Sequence, residues 1–257
     1  MEPTCFSDIT LLITHYNRSR SLERLLEAFK ERKITFGEIV VSDDCSKPVH
    51  QAYIKALQTQ YQFRFVTGPI NKGLGHNLNK GQDAVETSLT LYIQEDFIPA
   101  PDFAKQLNHA LQIMEERADM DMVRFYAYIQ YPHLKNYKYG FSEMVFKFWT
   151  FNYKKYYYYS DHPHLRRSNF LEKFGRYKEG LSGDQTEYHM MMSFLQKKGK
   201  AMFYHDYKGL LSQENSAEEP RTMKRNFWRE NNFPLVTFTR EIYRYLKFNL
   251  NYLIGAY

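Results

Sequence analysis

The stretch "ITLLITHYNRS" (residues 9–19) decides how the chain is read. Its first six residues are apolar or β-branched with no polar face, the pattern of a strand covered on both sides. The run stops at His15, Tyr16, Asn17 and Arg18. Beyond it Leu22, Leu25, Leu26 and Phe29 recur at helical spacing, with Ser19 or Ser21 available as a cap. Buried strand, polar turn and amphipathic helix form the opening of a parallel α/β unit. The pattern repeats. "EIVVSDD" (38–44), "FRFVTG" (63–68) and "LTLYIQ" (89–94) read as further buried strands. "GLGHNLNKGQDAVE" (73–86) reads as a turn and a helix. Phe103, Leu107, Ala110, Leu111 and Met114 mark another helix, with Asp102 near its start. Strands alternating with helices predict a mostly parallel sheet with helices on its faces.

Ligands bind such sheets at the carboxyl ends of the strands. Three of the expected strands end in polar or acidic residues there: Thr14 to Asn17, Asp43-Asp44, and Glu95-Asp96. Adjacent carboxylates repel, and they gain from a dry strand end only if a cation or proton donor joins them. "QED" (94–96) is therefore either a solvated turn or the seat of a divalent metal or ligand.

Composition narrows the class. The chain has 257 residues, 43% hydrophobic and 25% charged, which suits a globular domain with a sizeable core. Two cysteines make no disulfide framework and fit a reducing, cytoplasmic setting. No run reaches the ~18 apolar residues of a membrane span, and the N-terminus does not read as a signal peptide. Net charge is +6, and from Arg221 onward seven Lys/Arg stand against Glu230 and Glu241. An anionic membrane surface would suit this tail; nucleic acid would also, but is not carried forward as a partner. After about residue 130 the chain turns aromatic, basic and poorly periodic, and is expected to lie as irregular structure over the mouth of the sheet. "HLRRSNFLEKFGRY" (164–177) and "GDQTEYHMMMSFLQKKGK" (183–200) read as helices.

The order of motifs resembles the inverting family 2 of GT-A type glycosyltransferases, over roughly residues 8–216. "LLITHYNR" supplies Thr14, Tyr16 and Asn17, and "VVSDDCS" supplies Asp43, Asp44 and Ser46. "NKGLGHNLNKG" supplies Asn71, Gly73, Asn79 and Gly81, with Leu78 where the family usually has Arg. "QED" has Gln94 in the first acidic place. "LRRSNFLEKFGRYKEGLSGDQTE" follows the acceptor half with Arg166, Arg167, Phe170, Gly175, Tyr177, Glu179 and Asp184, and puts Gln185 where an acid is usual.

The resemblance implies an α/β, GT-A-like (Rossmann-like) fold with an irregular aromatic-rich C-terminal portion. It implies a nucleotide-sugar half (about 8–130), an acceptor half (about 131–216) and a basic helical appendage (217–257). The implied donor, UDP-linked, would meet Thr14, Tyr16, Asn17, Asp43, Asp44, Asn71, Gly73, Asn79, Glu95 and Asp96. A divalent metal (Mn2+ or Mg2+) would sit on Asp96 with Glu95 beside it and neutralise the diphosphate. In the place of the usual distant metal ligand, a His, the chain offers Gln213, with His205 nearby. The transferred sugar would go to a hydroxyl of a glycan or lipid-linked glycan, in cell-surface polysaccharide or lipopolysaccharide synthesis. An inverting mechanism needs a carboxylate to deprotonate the acceptor. Asp184 is the preferred base, and Glu187, three residues on along a helix face, is the alternative. Arg166 and Arg167 suit an acceptor or phosphate contact. "KKYYYYS" (154–160) is either a sugar-stacking platform or strand core.

Rival readings are a sugar nucleotidyltransferase, for which "HYNRSRS" lacks a Gly-rich phosphate loop, and a non-catalytic carbohydrate-binding or scaffolding protein. At the C-terminus Ile242, Leu246, Leu250 and Leu253 fall about one turn apart, with Tyr245 and Ile254 beside them and Arg240, Arg244 and Lys247 off the stripe. That helix lies in a membrane interface or, the preferred reading, packs on the protein's own core or a second subunit.

Overall fold

The computed structural model describes residues 3–214 and 233–255. The first buried run forms β1 (Thr4–His15), followed by α1 (Ser19–Glu31), β2 (Ile34–Asp43), α2 (Pro48–Leu57), β3 (Arg64–Val66), α3 (Leu74–Asp83) and β4 (Leu89–Gln94). A short strand β5 (Phe97–Pro99) leads to α4 (Phe103–Glu116) and β6 (Met122–Arg124). Then come β7 (Leu134–Asn136), β8 (Phe141–Met144), a 3-10 turn (Tyr153–Tyr156), β9 (His164–Arg167), α5 (Phe170–Phe174), α6 (Gly183–Gln196), β10 (Ala201–Tyr204), β11 (Leu211–Gln213) and α7 (Pro234–Ile254).

Nine strands form one sheet in the order β3-β2-β1-β4-β9-β6-β10-β8-β7, and β5 pairs with β11 in a separate ribbon. The β3-β2-β1-β4 half is parallel throughout. Strand β9 runs against both β4 and β6, and β8 runs against both β10 and β7. Leu11, Leu12 and Ile13 of β1 are all fully buried, which is why that strand has no polar face. One apolar cluster joins Leu11, Ile13, Leu25 and Leu107; another, on the opposite face, joins Leu12, Leu78, Tyr92 and Phe194.

The sheet departs from the sequence reading after residue 130. The aromatic segment is not wholly irregular: β7 and β8 extend the sheet as an antiparallel edge. "HLRR", expected to start a helix, is an inner strand, and only the five residues of α5 after it are helical. Two arginines in four residues concealed the strand. Arg166 is fully buried and donates to the Tyr177 hydroxyl at 2.6 Å and to Gln82 Oε1 at 2.7 Å, with its guanidinium 4.9 Å from the Phe170 ring centroid. Arg167 donates to the carbonyls of Met120, Met114 and Arg117 and so closes the end of α4. Neither lines the cleft described below, so their assignment to an acceptor or phosphate is corrected: the hydrogen bonds they make run to groups inside the protein. Arg166→Met is expected to destabilise the fold by ~2 kcal/mol, because it leaves the buried Gln82 Oε1 without its donor and takes from the Tyr177 hydroxyl one of its two partners. Urea unfolding measures this, and an unchanged midpoint would contradict it.

Ser19 and Ser21 do not cap α1, whose N-cap position is Arg18; the Ser19 hydroxyl instead pairs with His50 Nδ1 at 2.9 Å. The boundary expected at 216–217 lies outside the described residues, as do Arg221, Lys224, Arg225 and Arg229. Helix α7 packs on α6 and the 3-10 turn. Asn249 Oδ1 accepts from the Tyr156 hydroxyl at 3.0 Å, and Phe248 is buried among Tyr153, Tyr156 and Tyr188. The four stripe residues, expected to pack on the protein's own core or on a second subunit, do not pack on this chain's core: Ile242 is 44%, Leu246 61%, Leu250 55% and Leu253 68% exposed. Phe248, Asn249 and Tyr252, on the other side of the helix, make the contacts.

Candidate active site

A cleft of about 890 Å³ opens at the carboxyl ends of β1, β2 and β4. Its geometry starts with how α3 is placed. Asn77 donates to the carbonyls of Ser42 at 2.9 Å and His15 at 3.3 Å, and accepts from Ser42 Oγ at 2.7 Å. A Cβ on Gly81 would stand 2.7 Å from Leu12 Cδ1 and 2.9 Å from Ser42 Cβ, so only glycine lets the helix lie this close to the strands. The start of α3 thereby sits beside Asp44, whose two carboxylate oxygens accept the main-chain N–H groups of Lys72 (3.0 Å) and Gly73 (2.8 Å). Gly73 has φ +86, a left-handed conformation that favours glycine.

The turn after β1 is built by a buried cluster. His15 Nδ1 pairs with Asp43 Oδ1 at 2.8 Å, and its Nε2 accepts the Arg18 N–H at 3.1 Å. Burial pushes the Asp43 carboxyl up, but hydrogen bonds from His15 and Ser46 outweigh it and hold it down at about 2. Asn17 takes the left-handed φ of 55 that Asn tolerates, and its Oδ1 accepts the Lys47 N–H at 2.8 Å. Thr14 Oγ1 pairs with the Tyr92 hydroxyl at 3.0 Å.

Of the residues expected to meet the donor, Thr14, Tyr16, Asp44, Asn71, Gly73, Glu95 and Asp96 line this one cleft. Asp43, Asn17 and Asn79 do not. Asp43 is fully buried with His15, Ser46 and Thr67, and Asn17 ties two loops together. Asn79 is 1% exposed and exchanges hydrogen bonds with the Tyr177 main chain. These three shape the site from behind it.

The acid pair has a cation with it. Arg18 Nη1 lies 2.9 Å from Asp96 Oδ2 and 3.6 Å from Glu95 Oε1. Gln213 Nε2 donates to the same Asp96 oxygen at 2.9 Å, while the Tyr128 hydroxyl donates to Gln213 Oε1 at 3.1 Å. Asp96 Oδ1 is buried with no partner among the described residues. Among those residues no three His, Cys, Asp or Glu come together as a metal cage. The buried, unpartnered Asp96 Oδ1 nevertheless fits a hard divalent ion, which Asp96 would hold with Glu95 beside it. His205 is elsewhere, hydrogen-bonded to Ser142 Oγ on β8.

The opposite wall carries Arg124, Asp161, His162, Asp184 and Glu187. Glu187 accepts the Asp161 N–H at 3.3 Å. Burial raises its carboxyl to about 7, and the Asp184 charge adds to this, against the opposing pull of Arg124 and the Asp161 N–H. Arg124 is buried and donates to the Tyr157 carbonyl at 2.8 Å. Gln185, at the family's acidic position, is exposed and spent on the α6 cap, where its Oε1 accepts from the Ser182 hydroxyl at 2.9 Å. Sequence reasoning missed Arg18, Arg124 and Asp161. Arg18 directly follows the first strand's polar turn, a signal that could have found it; neither of the others carries a local one.

The profile of Glycosyl transferase family 2 matches residues 10–177, from β1 to the residues following α5. The chain belongs to this family. No curated protein matches the sequence significantly. Among solved structures, S. aureus TarS 1-349 in complex with UDP-GlcNAc is similar at a TM-score of 0.60 and 14% identity, over 97% of this chain and 73% of that one. In another TarS 1-349 structure the match spans 79% of this chain and 59% of that one. The mannosyltransferase PcManGT from Pyrobaculum calidifontis, in complex with GDP-Man and Mn2+, matches at 0.54 and 15% identity, over 78% and 55% of the two chains. Glucosyl-3-phosphoglycerate synthase from Mycobacterium tuberculosis, in complex with Mn2+, UDP and its product, matches at 0.50 and 14%, over 81% and 72%. At such identities the likeness establishes the GT-A fold. The strand ends within the matched residues line the cleft together with Asp184 and Glu187 of α6, which lies beyond them.

Proposed function

We propose that the protein transfers a sugar, with inversion, from a nucleotide-sugar, UDP-linked, to a hydroxyl of a glycan. The observation that carries this reading is that the donor-side residues and the acids of α6 line one cleft. Tyr16 lines the cleft and would stack on the base. Arg18, which lines the cleft, suits a diphosphate. Asp96, with Glu95, would hold a divalent ion, which when bound supplies positive charge to the departing diphosphate.

In the transfer the acceptor oxygen bonds to the anomeric carbon from the face opposite the leaving group. The carbon–oxygen bond to the diphosphate breaks, and the nucleoside diphosphate takes its electron pair. The acceptor proton goes to a carboxylate on the opposite wall. Of the two candidates, Glu187 is better suited than Asp184, because a base that titrates near 7 matches its task at neutral pH. Release of nucleoside diphosphate from a panel of UDP- and GDP-sugars, with and without Mn2+, tests the reading. A carbohydrate-binding scaffold would release none.

The acceptor in this reading is a lipid-linked glycan for cell-surface polysaccharide or lipopolysaccharide, met at the cytoplasmic face of the membrane. The outward stripe of α7 supports docking there. Trp149 and Phe151 are 87% and 86% exposed, and the Phe151 ring stands 5.7 Å from that of Tyr245 on α7. Arg240 and Lys247 lie off the stripe and suit anionic head groups, at ~1 kcal/mol each, whereas Arg244 turns to the Tyr153 hydroxyl and the cleft. Among the described residues no helix is long and apolar enough to cross a membrane. Co-sedimentation with phosphatidylglycerol vesicles, lost at high salt and absent with phosphatidylcholine, is expected. Binding to neither, with a concentration-dependent dimer, would assign the stripe to a second copy.

A further inference from the structure

We propose that Asp161 is a further substrate-binding residue, whose carboxyl holds a hydroxyl of the sugar being transferred. The inference rests on the nucleotide-sugar reading above. Asp161 belongs to none of the family motifs found in the sequence. It follows the tyrosine run and precedes β9, in the middle of "YSDHPH".

Three observations carry it. Asp161 lines the cleft yet is only 7% exposed, and its Oδ1 is buried with no hydrogen-bond partner among the described residues. Its main-chain N–H is bound to Glu187, so the residue is fixed beside the acid that faces the acceptor. It also lines the same cleft as the strand-end residues Asp44 and Asp96 and the α6 acids Asp184 and Glu187, where the donor reading puts the sugar. The nucleotide is held on the β1, β2 and β4 side and the base stands on α6, so the sugar lies between them.

The protonation state gives the contact its chemistry. Burial and the negative charges of Glu187 and Asp184 on α6 push the Asp161 carboxyl well above the usual range, against the opposing pull of Arg166 on β9 and Arg124 on β6. Tyr92, Tyr159 and Tyr177 also face it, and His162 adjoins it. A neutral carboxyl has one O–H to donate and oxygens that accept. A sugar hydroxyl also gives and takes one hydrogen bond, so the two match. A neutral group also adds no charge against the diphosphate, whereas a second carboxylate beside Glu187 would.

The test is calorimetric titration of the full chain with UDP and with UDP-GlcNAc, for wild type, Asp161→Ala and Asp161→Asn. UDP affinity is expected to stay the same in all three, which also shows that the variants fold. Asp161→Ala should lose ~10-fold in affinity for UDP-GlcNAc, and Asp161→Asn, which can still donate and accept, should recover most of it. The wild-type preference for UDP-GlcNAc over UDP should fall as pH rises and Asp161 ionises, while Asp161→Asn stays flat. Thermal melts give a second measurement. A carboxyl whose folded pKa is raised contributes stability at low pH that is lost as pH rises, so wild type should lose stability relative to Asp161→Asn as pH rises from the ordinary carboxylate range upward. Equal UDP-GlcNAc affinity in wild type and Asp161→Ala, or a melting difference that does not change with pH, would overturn the assignment. Wild type binding neither UDP nor UDP-GlcNAc, nor GDP and GDP-mannose in the same assay, would instead overturn the donor reading on which it rests.

Discussion

Glu187→Gln is expected to lower sugar transfer at least ~100-fold while leaving the affinity for UDP within ~2-fold of wild type, the signature of a lost general base. Glutamine keeps the shape and can still accept the Asp161 N–H, so a fold defect is not expected to confuse the result. The pH dependence has a definite sign. A base must be unprotonated to act, and burial holds Glu187 at about 7. Transfer by the wild type should therefore rise with pH through that value. Asp184→Asn should cost much less, although removing its charge eases the ionisation of Glu187 and moves the rise to lower pH. Full activity in Glu187→Gln with collapse in Asp184→Asn would exchange the two roles.

Asp96→Ala is expected to abolish detectable transfer and to weaken UDP binding in the presence of Mn2+ by ~10-fold or more. A charged hydrogen-bonding group at such a site is worth ~2–3 kcal/mol, and the charge it helps to place acts on the leaving diphosphate. The variant removes the carboxylate that Arg18 and Gln213 both contact, and with it the one open oxygen. Mn2+ binding followed by electron paramagnetic resonance gives a readout independent of turnover. Asp44→Ala should also weaken UDP binding, by a different route: it frees the N–H groups of Lys72 and Gly73 and loosens the loop at the start of α3. Unchanged Mn2+ and UDP affinity in Asp96→Ala would remove the metal and diphosphate from this carboxylate.

Legibility followed the range of the interactions involved. Strand β4 was found to the residue, and β1, β2, α1 and α4 were found with shifted ends, because each carries its own apolar pattern within a dozen or so residues. Strand β9 was misread because its arginines look like a surface. Their burial depends on Gln82, 84 residues earlier in the chain than Arg166, and on the end of α4, neither visible from "HLRR".

The sequence alone determined the parallel half of the sheet and the wall on which the donor residues stand. Continuous apolar runs can only be inner strands, and ligands gather where such strands end. The tertiary structure alone decided which polar groups face the cleft and which are spent holding it. It set Asp43, Asn79 and Arg166 behind the site, paired Arg18 with Asp96 across 78 residues, and brought Asp161 to Glu187 across 26. A charge's protonation and exposure depend on its neighbours in space, and for these residues those neighbours come from distant parts of the chain.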